Sequence, residues 1–346
     1  MGTLIFEQAE RWPLTDEIRN RITARTAVLR LESLTPRLLS LSRDAVHPSS
    51  YYFAADAGGQ PLLLHVAPAT APTSSVFAKP LLIGRMRRAG GPELIINAIP
   101  FGPGDEENIE KFASKVDTAF LPRPQGARPA IVVDSNLAEA FEAFRAIWKK
   151  TGRNLAAVAA PEGAAPRRAY YAALWAAIRS GWREGFAGGL EITLAPDSLE
   201  AAKERIREAP GYSRFALDIA ELRDQGLDAA AQMHEFIRQT RSARKISRGF
   251  DLEIILGVAD GERAGEALEW LRSRGHPAQF LGCAVEQVEE LAEVARRNQC
   301  VLSVRGSDED TPATLEQVGR ATLGRFNYRI QGCTPDLPAI AEHLLA

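Results

Sequence analysis

Cysteine and histidine are scarce in this chain, and its net charge is close to zero. Its 346 residues hold 3 cysteines and 5 histidines. Cys283, Cys300 and Cys333 are scattered and odd in number, and no CxxC pair occurs. That composition argues against a disulfide framework or a cysteine zinc site. The formal net charge is −2, so neither nucleic acid nor an acidic membrane surface is an expected partner. No apolar run reaches the roughly 18 residues of a membrane helix. The opening "MGTLIFEQAERWPLTDEIRN" lacks the basic start and apolar core of a signal peptide. The expectation is a cytoplasmic protein. What remains is ordinary: 45% hydrophobic and 25% charged residues, with length for one large domain or two moderate ones.

Residues 1–127 read as a smaller mixed α/β region. In "SSYYFAADAGGQPLLLHVAP" the apolar runs Tyr51 to Ala54 and Leu62 to Val66 flank Gly58 and Gly59, which predicts a β-hairpin. Leu94 to Ile99 is another strand candidate, ending in "PFGPGDEEN". Asp105 is placed there to cap a helix, with Glu106 and Glu107 in its first turn. The acids and the spacing argue against a phosphate loop. "LPRPQGARP", Leu121 to Pro129, reads as a linker.

Residues 128–346 are regular. Eight short apolar runs, "AIVVDS", "NLAAVAAPE", "GLEITLAPD", "RFALDIAE", "DLEIILGVAD", "AQFLGCAV", "CVLSVRGSD" and "RFNYRIQG", are each followed by a helix-length segment. The last such helix runs from about Leu337 to Leu345. Parallel strands need crossover connections, and this alternation supplies them. Eight units in about 220 residues match a (β/α)8 TIM-type barrel, with an open doubly wound sheet as the alternative.

In such a barrel the site forms at the C-terminal ends of the strands. That rim should receive Asp134, Ser135, Glu162, Glu191, Thr193, Asp218, Glu221, Asp260, Arg305, Ser307, Asp308, Arg329 and Gln331. Glu253 sits mid-strand, where an acid is costly unless paired or facing a polar interior. Glu253 and Asp218 are the most site-like carboxylates; the bland alternative for each is a salt bridge inside the barrel. Arg305 and Arg329, at the ends of adjacent strands, suit an anionic ligand, because a guanidinium holds a carboxylate bidentately. They could equally neutralise Asp308 or other nearby acids.

No lysine falls on the eight strands, which argues against Schiff-base chemistry. His234, His276 and His343 fall in or beside helices and read as surface or packing residues. A metal could then be held only by carboxylates, as one divalent ion on Asp218, Glu253 and Asp260. Cys283 ends a strand without a readable histidine partner and reads as a small buried residue.

The runs "AALWAAIRSGWREGFAGGLEITLAPDS", "FALDIAE", "DLEIILG", "GSDED" and "RFNYRIQGCT" together resemble the tagaturonate epimerases over roughly Asn154 to Leu345. The hairpin region is similar too. The resemblance implies a barrel that uses a metal to interconvert two keto-hexuronates. It makes Asp218 and Glu253 barrel-mouth acids, puts Arg305 to Asp308 on a sugar-binding rim, and sets Arg329 against the substrate. The chain departs from the family where an acidic pair is replaced by Gly257 and Val258. One family histidine is replaced by Val304 or Arg305, another by Asn327.

Two functions follow. One is a sugar-acid epimerase or isomerase with Glu253 or Asp218 as general base. Its substrate would be a small anionic sugar, bound through Arg305, Ser307, Asp308, Arg329, Glu191 and Asp134. The other is a catalytically inactive barrel relative that binds a sugar acid or a partner protein. Self-association into a homo-oligomer is open to either.

Overall fold

The computed structural model describes residues 36–330, apart from 44–49, 58–59, 71–76, 78–80, 88–92, 103, 127, 135–136, 152–155, 160–164, 209–210, 247–248, 258–259 and 307–311. The chain divides into two compact units, Met1–Leu121 with Leu174–Arg183, and Pro122–Ala173 with Glu184–Ala346.

The first unit carries a five-stranded antiparallel sheet in the order β1-β2-β3-β5-β4. Its strands are β1 (Pro36–Arg43), β2 (Tyr51–Ala57), β3 (Gln60–Pro68), β4 (Leu81–Arg87) and β5 (Glu93–Pro100). The expected hairpin is β2–β3, with Tyr51 opposite Val66 and Ala54 opposite Leu63. Tyr52 stacks on His65 at 4.7 Å, and Phe112 meets both Phe101 and Phe120. Helix α1 (Glu106–Lys111) follows the sheet. Here the expectation for Asp105 needs correcting. Its side chain makes no cap bond to α1 and instead accepts the Gly102 N–H at 3.1 Å. The tight glycine turn leaves that amide in need of an acceptor, and Asp105 closes the turn.

The second unit is a closed barrel of eight parallel strands in the order β10-β11-β12-β13-β6-β7-β8-β9, with β9 pairing β10 to complete the ring. The strands are β6 (Ala130–Val133), β7 (Ala156–Ala159), β8 (Phe186–Thr193), β9 (Arg214–Asp218), β10 (Asp251–Ile255), β11 (Phe280–Ala284), β12 (Val301–Arg305) and β13 (Phe326–Ile330). Each matches one predicted run. The helices between them are α2 (Leu137–Thr151), α3 (Pro166–Ser180), α4 (Leu199–Glu208), α5 (Gly226–Ala243), α6 (Gly261–Ser273), α7 (Val288–Arg297) and α8 (Pro312–Thr322). The runs are short and apolar because parallel strands are buried on both faces. All five residues of β10 and of β13 are buried. The helix expected near Leu337 to Leu345 lies outside the described residues.

The proline-rich segment before β6 is tied down rather than loose. Arg123 N–H donates to the Phe186 carbonyl at 2.9 Å, and its Nη2 donates to that of Glu184 at 2.8 Å. The backbone N–H groups of Gln125 and Gly126 both donate to Asp251 Oδ2, at 2.9 and 3.2 Å. Gly126 has φ +64°, a left-handed conformation that lets both amides turn towards one oxygen. The segment is thus a strap fastened at the N-terminal ends of β8 and β10. Asp251→Ala should lower unfolding free energy by roughly 1–3 kcal/mol, because two strap amides lose their acceptor. Urea denaturation checks this, and an unchanged midpoint would show that the strap is held elsewhere.

His234 on α5 and His276, just after α6, meet Nδ1 to Nδ1 at 2.9 Å, with Phe250 packed 5.1 Å from the His234 ring. One nitrogen must donate and the other accept, so both rings cannot be charged at once. Burial first, and His276 second, lower the pKa of His234 to about 4; Glu235 opposes the shift and Arg238 adds to it. The unfolded chain therefore binds the proton first. Stability should fall as pH drops from about 6.5 towards 4, and that slope should flatten in His234→Asn. Urea midpoints across this window measure it.

Candidate functional site

The barrel interior is charged where most barrels are apolar. Glu253, in the middle of β10, is only 6% exposed. Its Oε2 accepts from Arg214 Nε at 3.0 Å and Nη2 at 2.6 Å, and the same Nη2 donates to Ser303 Oγ at 2.9 Å. The Arg214 guanidinium also lies 4.0 Å from the centre of the Phe280 ring. A buried charge is tolerable only when paired and hydrogen-bonded, and here each ion supplies the other. Gly282 makes the room. A Cβ there would sit 2.6 Å from Ile255 Cγ1 and 3.0 Å from Glu253 Oε1.

A second charged group lies nearer the strand ends. Arg305 and Arg329 are register partners on β12 and β13. Two adjacent guanidiniums repel unless an anion separates their fields, and Glu191 of β8 supplies it. Glu191 Oε1 takes Arg305 Nη2 at 2.5 Å, and Oε2 takes Arg329 Nη1. Burial pushes the Glu191 carboxyl upward, but Arg329 and then Arg305 outweigh it and hold the pKa below the ordinary value. The cluster is half open: the Arg329 side chain is 7% exposed, Glu191 23% and Arg305 33%.

Between the two groups lies a cavity of about 20 Å³, lined among others by Glu191, Arg214, Glu253, Ser303 and Arg329. That is room for one water molecule. A ligand larger than water does not fit in it.

The predicted site residues therefore fall into three sets. Glu191, Arg305 and Arg329 come together, and Glu253 lies below them. Asp134, half-buried, directly follows β6. Asp218 ends β9, where its Oδ1 accepts the Ala220 N–H at 3.1 Å. Asp260 is exposed and caps α6 by accepting the Arg263 N–H at 2.8 Å. Ser307 and Asp308, with Ser135, Glu162 and Gln331, lie outside the described residues. Arg214 and Ser303 are the interior residues that the sequence did not flag. Alternation was the available signal, since Arg214 and Asp218 are four apart on one strand and so share a face.

The described donors do not fit a divalent metal. No group of three His, Cys, Asp or Glu able to hold one occurs among the described residues. Glu191 turns both oxygens, and Glu253 one, to guanidiniums, whose charge repels a cation. Asn327, at a position where the family resemblance places a histidine, is fully buried, and its side-chain amide has no hydrogen-bond partner among the described residues. The Cys283 thiol is pushed up to about 12 by burial and then by Glu253, so it is no nucleophile.

The chain aligns with a fructuronate-tagaturonate epimerase from Cohnella laeviribosi at TM-score 0.59 and 13% identity, over 90% of this chain and 75% of that one. The chain resembles a tagaturonate epimerase in fold. At this identity the likeness speaks for fold alone. A probable tagatose 6 phosphate kinase from Sinorhizobium meliloti aligns at 0.45 and 15% identity, over 59% of this chain and 65% of that one. Haloferax volcanii malate synthase aligns at 0.47 and 12%, over 65% and 76%. Neither of these two carries weight at such scores. No protein-family model and no curated protein matches the sequence. Among the described residues, no helix is long and apolar enough to cross a membrane.

Arg214→Met should cost about 3–5 kcal/mol, because Glu253 is left buried without its cation. Adding Glu253→Gln should recover part of that loss. A double-mutant cycle by urea denaturation measures the coupling, and additive effects would mean the two charges are not coupled.

Proposed function

We propose that this chain is a carbohydrate-metabolism barrel that takes a small sugar acid of the keto-hexuronate class at its C-terminal mouth. The observation that carries the reading is the convergence of Arg305 and Arg329 on a single carboxylate, that of Glu191. Two guanidiniums from adjacent strands already form a cradle of carboxylate size and charge, half open to solvent. A ligand carboxylate exchanging into it would lay the sugar's hydroxyls along the rim, within reach of acids such as Asp134 and Asp218. The likeness in fold to a tagaturonate epimerase makes keto-hexuronates the ligands to try first.

The reaction that suits this arrangement is an epimerisation or isomerisation through an enolate. It needs a base to take the proton beside the ketone and a cation to hold the oxyanion that forms. Glu253 is the base in this reading. Its Oε2 is committed to Arg214, which leaves Oε1 to receive a proton through the one water that the cavity has room for, and Arg329 is a cation lining the same cavity. A second reading, binding without turnover, is favoured by the pairing of both interior glutamates with arginines.

Calorimetry with tagaturonate and fructuronate, followed by product analysis, tests both readings. Arg329→Ala should abolish binding under either. Glu253→Gln should bind normally and lose turnover by at least about 100-fold under the first. Binding by the wild type with no interconversion selects the second. No binding of either keto-hexuronate would end both.

A further inference from the structure

Two side chains of the barrel interior have hydrogen-bonding capacity left over, and both border one cavity. Glu253 accepts both Arg214 bonds on Oε2, and its Oε1 has no donor among the described residues. Ser303 Oγ takes Arg214 Nη2 at 2.9 Å, and a guanidinium can only donate. Oγ is therefore the acceptor in that bond, and its own O–H is left with no acceptor among the described residues. Glu253 is 6% exposed and Ser303 4%, so bulk water satisfies neither. Both line the cavity of about 20 Å³, whose wall includes the small residues Gly189 and Ala216. One unspent donor and one unspent acceptor beside room for one water are the makings of a buried water site.

We propose that this cavity binds one water, which accepts the Ser303 O–H and donates to Glu253 Oε1, and that Ser303 is thereby the positioning residue of a proton path between Glu253 and the barrel mouth. The water site stands on Ser303, Glu253 and the cavity; the path rests on the reading of Glu253 as the base. Arg214 prepares both ends. It occupies Oε2 and leaves Oε1 as the basic oxygen, and its bond into Oγ turns the Ser303 proton away from itself. Glu191, of the cluster nearer the strand ends, lines the same cavity. In the reaction the C–H bond beside the ketone breaks, and its electron pair enters the enolate. The water oxygen takes that proton and releases one of its own to Oε1. The water is regenerated, Glu253 becomes a neutral acid, and the reverse shift returns a proton to carbon.

The test begins with a crystal structure of the full chain at a resolution that shows ordered water. The wild type should show one water within about 3.2 Å of both Glu253 Oε1 and Ser303 Oγ. No water there overturns the site and the path together, while binding of a sugar acid at the mouth is judged separately by its calorimetry. Kinetics with the keto-hexuronates then test the path. Ser303→Ala should lower kcat at least about tenfold with KM changed less than about twofold, and Ser303→Thr, which keeps the hydroxyl, should restore most of the loss. If Ser303→Ala fails to fold in a melting curve, Ser303→Cys, a weak donor, takes its place. An unchanged kcat in the folded variant overturns the path and leaves the water as a structural one. A wild type that holds the water yet interconverts neither keto-hexuronate brings down Glu253 as base, and the path with it, but not the water site.

Discussion

Everything inside this barrel depends on how buried charge is balanced. Arg214 and Glu253 are each at most 6% exposed, and neither ion could occupy the barrel without the other. Their attraction offsets a desolvation cost of several kcal/mol per ion. The pair fixes Ser303 on one side and requires glycine at position 282 on the other. It also limits what the barrel can hold. Ion pairs spanning β8, β9, β10, β12 and β13 fill the space in which a wider barrel would seat a ligand, and they raise the working surface to the level of Glu191.

The two ends of the barrel are built by opposite means. At the N-terminal end backbone donors close the structure, with amides of the strap on one oxygen of the Asp251 carboxylate. At the C-terminal end charged side chains meet and stay partly in contact with water. In the sugar-acid reading, partial exposure is what lets the guanidiniums exchange one carboxylate for another. An end with a purely structural task gains from fixed hydrogen bonds.

The eight strands were legible in sequence because each is a short run of β-branched and aliphatic residues bounded by Gly, Pro or charge, and the helices between them have ordinary length. The hairpin was legible from its glycine turn. The convergence of Arg305 and Arg329 was legible too, since both end adjacent strands. The partner of each charge was not. Glu191 reaches across from β8, and Arg214 reaches Glu253 through 39 residues of chain. Such pairings depend on register and tilt around a closed ring, which no local pattern encodes. For the same reason Asp218, Glu253 and Asp260 look like a carboxylate set in sequence, yet they serve a turn, an ion pair and a helix cap.

The shared carboxylate of Glu191 also bears on how this interior could have arisen. Two arginines on adjacent strands repel one another until the glutamate is present, and the glutamate is a lone buried acid until an arginine is. Any history that adds these residues one at a time passes through a less stable barrel, unless an outside anion stands in for the missing partner. A bound metabolite with a carboxylate is such an anion.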